Sequence, residues 1–125
     1  MQKKNKIYVL EDCSQAVGAK IKGKMVGTFG DIAAFSTMYR KNLAANSGSG
    51  IVFTKKNYSL YKKILAYSDR GKISWNKKLN NSDPKNSIFP ALNWNTDEFT
   101  CAIGLASLRR LKSTNLKRKN ISQDF

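Results

Sequence analysis

The chain has 125 residues, 41% of them hydrophobic, with two cysteines, no histidine and a formal net charge of +15. That length allows one domain with a modest core, and the apolar share is too high for a disordered tail. No window approaches the roughly 18 consecutive apolar residues of a membrane-spanning helix, and without histidine neither a zinc cluster nor a Ser-His or Cys-His pair is expected.

A basic start at residues 1–6 leads into a short apolar run, Ile7–Leu10, which Glu11 and Asp12 interrupt. The run is too short for the apolar region of a signal peptide, so a cytoplasmic protein is the expectation. Rich in β-branched and aromatic residues, it reads as a buried strand of a parallel sheet that emerges at its acidic end. Cys13 and Cys101, flanked by small or apolar residues, read as buried packing thiols. Residues 20–26 alternate around Gly23 and predict a hairpin. Residues 31–36 predict a second strand, 37–50 a glycine-containing loop, and 51–54 a third strand.

Asn57 or Ser59 is placed to cap a helix with Leu60, Ile64, Leu65 and Tyr67 on one face. Residues 71–90 are polar and read as an exposed excursion. The last helix begins with Thr96 as cap and Asp97 and Glu98 in its first turn. Its apolar stripe is Phe99, Ala102, Ile103, Leu105, Ala106 and Leu108, and Arg109, Arg110 and Lys112 close its negative end. Beyond residue 112 the pattern decays, so 113–125 reads as a charged, frayed tail.

The positive charge raises the question of nucleic acid. Lysines outnumber arginines 18 to 5 and are scattered along the chain. A phosphate-reading surface favours the bidentate fork of arginine. Nucleic acid is therefore not the expected partner, and a basic nucleic-acid-binding module is the weaker alternative.

Three features carry chemistry together: an acidic residue at a strand end, a serine at the next strand end, and a lysine five residues beyond it in a loop rich in small residues. Residues 11–19 read E-D-C-S-Q-A-V-G-A, residues 23–31 read G-K-M-V-G-T-F-G-D, and Phe35-Ser36 is followed by Lys41-Asn42-Leu43. In this order they resemble the DegT/StrS type of sugar aminotransferases, in the fold type I pyridoxal-phosphate superfamily of aspartate aminotransferase. The likeness resumes at residues 93–98 (N-W-N-T-D-E) and 102–111 (A-I-G-L-A-S-L-R-R-L).

The resemblance implies an α/β fold, with residues 1–112 forming part of the large cofactor-binding domain: a mixed, mostly parallel sheet flanked by helices, incomplete here. It implies pyridoxal 5'-phosphate as cofactor and Lys41 as the catalytic residue that bonds the cofactor aldehyde. The lysine amine must lose its proton to attack, and once released it shuttles a proton at the substrate carbon. Asp12 would face the pyridine nitrogen and keep it protonated. Gln15 would contact the ring oxygen or the substrate side, and Ser36 the phosphate. Asn93 would reach the phosphate of a neighbouring subunit, which implies a homodimer.

The implied reaction is transamination of a nucleotide-linked keto-sugar, with glutamate or glutamine as donor, in polysaccharide or glycan precursor synthesis. Family members that dehydrate sugars carry histidine where Lys41 stands. The sequence departs from the family at Thr37-Met38-Tyr39-Arg40, at 46–50 (N-S-G-S-G, without the usual carboxylate) and at Asn95, positions that bear on substrate preference. The ring-stacking aromatic and the substrate-closing C-terminal domain of such enzymes have no counterpart in these residues. A shortened, non-catalytic remnant is therefore the alternative expectation.

Overall fold

The computed structural model describes residues 7–46, 48–55 and 57–123. The basic start at 1–6 and the last two positions of the expected tail lie outside those residues. The chain forms two compact units, one of Met1–Lys55 with Asp97–Phe125 and one of Lys56–Thr96.

The first unit is built on a three-stranded sheet in the order β1-β4-β5, with β1 at Leu10–Asp12, β4 at Ile32–Ser36 and β5 at Gly50–Thr54. β1 runs parallel to β4, pairing Leu10 with Ile32 and Asp12 with Ala34. β5 runs antiparallel to β4, from Ile32↔Thr54 to Ser36↔Gly50. Side chains alternate across a pleated strand, so Glu11, Ala33, Phe35, Ile51 and Phe53 share one face. Ala33, on the central strand, is fully buried, and Cys13, Val17 and Leu43 complete the core of this unit.

β2 (Lys20–Ile21) and β3 (Lys24–Met25) form the expected hairpin. Lys22 and Gly23 at its tip both have positive φ, 48° and 80°, the type I′ geometry that matches the strand twist.

The first strand lies three residues later than the apolar run suggested. Asp31 and Ile32 donate their amides to the Val9 carbonyl at 2.9 and 3.4 Å, and the Asp31 carboxylate accepts from the Val9 amide at 2.8 Å. Pairing with β4 therefore starts only at Leu10 and takes in Glu11 and Asp12. Nor is this strand buried: among the described residues it is an edge of the sheet, and Leu10 stays exposed.

The long helix α2 spans Glu98–Ile121. Its cap is Asp97 rather than Thr96: the Asp97 carboxylate accepts from the Thr100 amide at 2.8 Å. Arg109, Arg110 and Lys112 lie within the helix, which continues through residues 113–121, and Arg118 and Lys119 occupy its last turn.

The expected apolar stripe is not the packed face. Phe99 is 84% exposed, and Ile103, Leu105 and Leu108 are also exposed, whereas Thr100 and Ser107 are buried. The face at positions 100, 104, 107 and 115 follows the helical period and meets the 42–46 segment, whose amides need polar partners. Cys101 falls outside that face and is exposed, contrary to its reading as a packing thiol; Cys13 is buried.

In the second unit α1 spans Tyr58–Ser68, and Asn57 caps it by accepting from the Leu60 amide at 2.9 Å. Ala66 is its buried residue, while Tyr67, expected on the packed face, is exposed. The polar excursion is stitched to its own return: Ile88 donates to Gly71 O (2.9 Å), Arg70 to Leu92 O (3.0 Å) and Trp94 to Ser68 O (2.8 Å). Asp69 and Asn93 form an isolated bridge within this unit.

Candidate functional site

Parallel pairing puts the carboxyl ends of β1 and β4 at the same edge of the sheet, where ligands gather in α/β folds. Asp12 is the last residue of β1 and Ser36 the last of β4. The chain then enters the 37–49 loop, which is closed at its base by Thr37 donating its amide to Ser49 O (3.0 Å) and its hydroxyl to Ser49 Oγ (2.8 Å). Lys41 sits in a turn of this loop, its amide bonded to Met38 O at 2.9 Å.

Ser14 organises the acidic end of β1. Its amide and hydroxyl donate to Asp12 Oδ1 at 3.0 and 2.6 Å. The Ser14 hydroxyl first, then its amide, hold the Asp12 carboxyl below its ordinary value; burial opposes them, and the positive charge of Lys41 adds to the lowering. Asp12 is thus kept ionised within electrostatic reach of Lys41. Both bonds fall on Oδ1, so Oδ2 has no hydrogen-bond donor among the described residues.

Ser14, Gln15, Val17, Lys41 and Asn42 line one small recess with about 10 Å³ of free space, room for about one water. A ligand would lie over this recess rather than inside it. Among the described residues no hydrogen bond or ion pair engages the Lys41 ammonium or the Gln15 amide. The recess is therefore lined by an amine and an amide not spent on the fold, and Ser14 in its wall holds the Asp12 carboxylate, whose Oδ2 is likewise unspent. That set suits a cofactor with an aldehyde and a protonated ring nitrogen. The Ser36 hydroxyl, a donor suited to a phosphate, accepts a long bond from the Met38 amide at 3.4 Å.

Asp12, Gln15, Ser36 and Lys41 belong to the first unit, and Asn93 to the second. The exposed Asn93 side chain closes a local turn by accepting from the Asn95 amide at 3.2 Å.

Two contributors escaped the sequence reading. Ser14, two residues after an aspartate at a strand end, is the spacing of an Asx turn and was legible in principle. Glu11 had no such signal. Its carboxylate accepts from the amides of Gly27 (2.7 Å), Phe29 (2.7 Å) and Gly30 (2.6 Å), tying the turn before β4 to the strand that carries Asp12.

The sequence profile of the DegT/DnrJ/EryC1/StrS aminotransferase family matches residues 1–125. GDP-perosamine synthase of Escherichia coli O157:H7 is 30% identical, a match covering 100% of this chain and 32% of the synthase. The spore coat polysaccharide biosynthesis protein SpsC of Bacillus subtilis is 34% identical over 93% of this chain and 30% of its own. Among solved structures, an aminotransferase from Psychrobacter cryohalolentis superimposes with a TM-score of 0.75 at 31% identity, covering 87% of this chain and 28% of that one. The E. coli GDP-4-keto-6-deoxy-D-mannose-3-dehydratase with bound hydrated PLP gives 0.71 at 25% identity, covering 89% and 31%. The chain thus spans about a third of the length of the curated relatives it matches. Over the matched span the α/β fold is the one these proteins share, as the motifs around Asp12 and Lys41 implied.

Proposed function

The chain belongs to the DegT/DnrJ/EryC1/StrS aminotransferase family, and from that premise we propose that it serves the transamination of a nucleotide-linked keto-sugar, with glutamate or glutamine as amino donor, in polysaccharide or glycan precursor synthesis. Pyridoxal 5'-phosphate is the cofactor; when bound, it supplies the electron sink for negative charge developing at the donor carbon. The observation that carries the reading is a set of uncommitted polar groups: Lys41 Nζ and the Gln15 amide line one recess, and Asp12, held by Ser14 of the same recess, lies within electrostatic reach of Lys41 with Oδ2 unspent.

In this reading Lys41 is the catalytic residue. It holds the cofactor through its amine and moves a proton to and from the donor carbon. Asp12, kept ionised by Ser14, presents Oδ2 to the ring nitrogen and keeps a proton there. Gln15 orients the ring oxygen or the substrate, and the Ser36 hydroxyl donates to the phosphate. Asn93 serves the phosphate site of a second copy, making the working unit a homodimer. Lysine at position 41, where the family's dehydratases have histidine, favours transamination over dehydration. We assign a cytoplasmic location and neither nucleic acid nor membrane as partner. Among the described residues no helix is long and apolar enough to cross a membrane.

A second reading, a chain that folds without turning over, draws on the apolar side chains left open to solvent, Leu10, Ile51, Phe53 and Phe99 among them. Titration of the chain with pyridoxal 5'-phosphate separates the two. Under the first reading a visible absorbance band develops and is lost in Lys41→Ala. A band that survives in Lys41→Ala removes Lys41 from the role, and no band in the unaltered chain favours the second reading.

A further inference from the structure

Asp12 ends β1 and Lys41 lies in the loop after β4, and among the described residues no hydrogen bond joins residues 12–19 directly to the Lys41 loop. The link runs through α2. Asn115 Nδ2 donates to the Val17 carbonyl at 3.0 Å, and Asn115 Oδ1 accepts from Asn42 Nδ2 at 3.0 Å. Val17 is two residues past Gln15 on the loop that follows Asp12, and Asn42 is the residue after Lys41. The Val17 carbonyl admits only the NH2 end of the amide, which turns the oxygen toward Asn42.

The contact is close-fitted. A Cβ placed on Gly18 would come within 2.4 Å of Asn115 Nδ2. Arg118, one turn further on, donates to the other side of the same Asn42 amide, at its Oδ1. Two further positions of the Lys41 loop are gripped by the same helix face: Ser107 Oγ accepts from the Ala44 amide (3.0 Å), and Thr100 Oγ1 from Asn46 Nδ2 (3.2 Å). Alternate loop positions 42, 44 and 46 are thus held by helix positions 115, 107 and 100.

We propose that Asn115 is a positioning residue that fixes the loop carrying Lys41 against the loop that carries Gln15 and follows Asp12. Its purpose rests on the aminotransferase reading; its mechanical role does not. Among neutral side chains, an amide is suited to the post because it must donate to one loop and accept from the other. Alanine removes both bonds. Aspartate keeps the acceptor for Asn42 and loses the donor for Val17. Each of the two bonds is worth enough that losing both multiplies local opening by about tenfold or more.

The test uses the full chain, first without cofactor. Amide hydrogen exchange is expected to quicken about tenfold in Asn115→Ala over residues 13–18 and 38–46, and not at Ala33 or Phe53 in the β4–β5 ladder. In Asn115→Asp the faster exchange should be confined to 13–18. Unchanged exchange in either loop of Asn115→Ala, or acceleration spread equally into β4–β5, overturns the proposal. Second, the chain is loaded with pyridoxal 5'-phosphate and the pH midpoint of its visible band is followed. The midpoint should move in Asn115→Ala and less in Asn115→Asp; an unmoved midpoint alongside faster exchange would reduce Asn115 to a structural bond and overturn its positioning role. No band in the unaltered chain refutes the cofactor reading instead, and the exchange data then decide the mechanical role alone.

Discussion

Replacing Glu11 by glutamine isolates the clamp beneath the site. The carboxylate takes the amide of Gly27 on Oε2 and those of Phe29 and Gly30 on Oε1. A hydrogen bond to a charged group contributes about 1.5–3 kcal/mol and a neutral one about 0.5–1.5 kcal/mol. Glutamine keeps one oxygen for Phe29 and Gly30 at the neutral value and turns an NH2 against the Gly27 amide. The loss is about 1 kcal/mol for each retained bond and about 2 kcal/mol for the one abolished. Partial exposure to water roughly halves that sum, to about 2 kcal/mol, or a fall of about 8 °C in Tm for a chain of this size.

The pH dependence gives the sharper assay. Burial alone would push the Glu11 carboxyl up, but the amides of Gly30, Gly27 and Phe29 and the charge of Lys24 hold it below its ordinary 4.5. A depressed carboxyl stabilises fully above its unfolded value, and that contribution is lost as pH falls through the folded one. Urea unfolding should therefore show a full gap between the two proteins near neutral pH, closing as pH falls below about 4.5. A gap under about 0.5 kcal/mol at neutral pH, or one that persists undiminished at about pH 3, would refute the clamp.

Other outcomes follow from local geometry. At Gly71, φ is +77° and an added Cβ would meet Phe89 O at 1.9 Å, whereas at Gly23, φ is +80° and nothing lies within 4 Å. Gly71→Ala should cost about 3 kcal/mol or more and Gly23→Ala about 1 kcal/mol; equal losses in urea unfolding would contradict this. On α2, Phe99→Ser should change stability by less than about 0.5 kcal/mol. Ser107→Ala strips the Ala44 amide of its acceptor and should cost about 1–2 kcal/mol. The reverse ranking would mean that the apolar stripe is the packed face after all.

What the sequence disclosed depended on whether a local rule decided the matter. The hairpin tip at Lys22-Gly23 follows from single-residue preferences and was readable, and the cap was narrowed to Asn57 or Ser59, of which Asn57 takes it. β4 was readable as well, because as the central strand it must be apolar on both faces. β1 was displaced because its start is set by Asp31 and Ile32 reaching back to Val9, a contact made 22 residues away in sequence. Asp97 took the cap from its neighbour Thr96 because both residue types suit the position and periodicity does not choose between adjacent ones. The packed face of α2 was misjudged for a deeper reason. Hydrophobic periodicity finds oily faces, and this helix meets backbone and side-chain amides that call for Thr100, Ser107 and Asn115. Of the residues the motifs named, Gln15 and Lys41 line one recess with Ser14, which bonds Asp12, while Ser36 ends β4 and Asn93 belongs to the other unit. Ser14 sits within the 11–19 stretch with no role assigned to it, Asn115 lies outside every matched stretch, and the bond from Asn115 to Val17 spans 98 positions.

β5 is joined to β4 on one side alone among the described residues, and Ile51, Val52 and Phe53 stand about half exposed along it. A strand edge of that kind invites further strands to add. What keeps molecules apart is the charge of +15, whose reach shrinks from about 30 Å at 0.01 M salt to about 3 Å at 1 M. Self-association is therefore expected to depend on ionic strength: dilute buffer should favour dispersed molecules and concentrated salt their contact through the β5 edges.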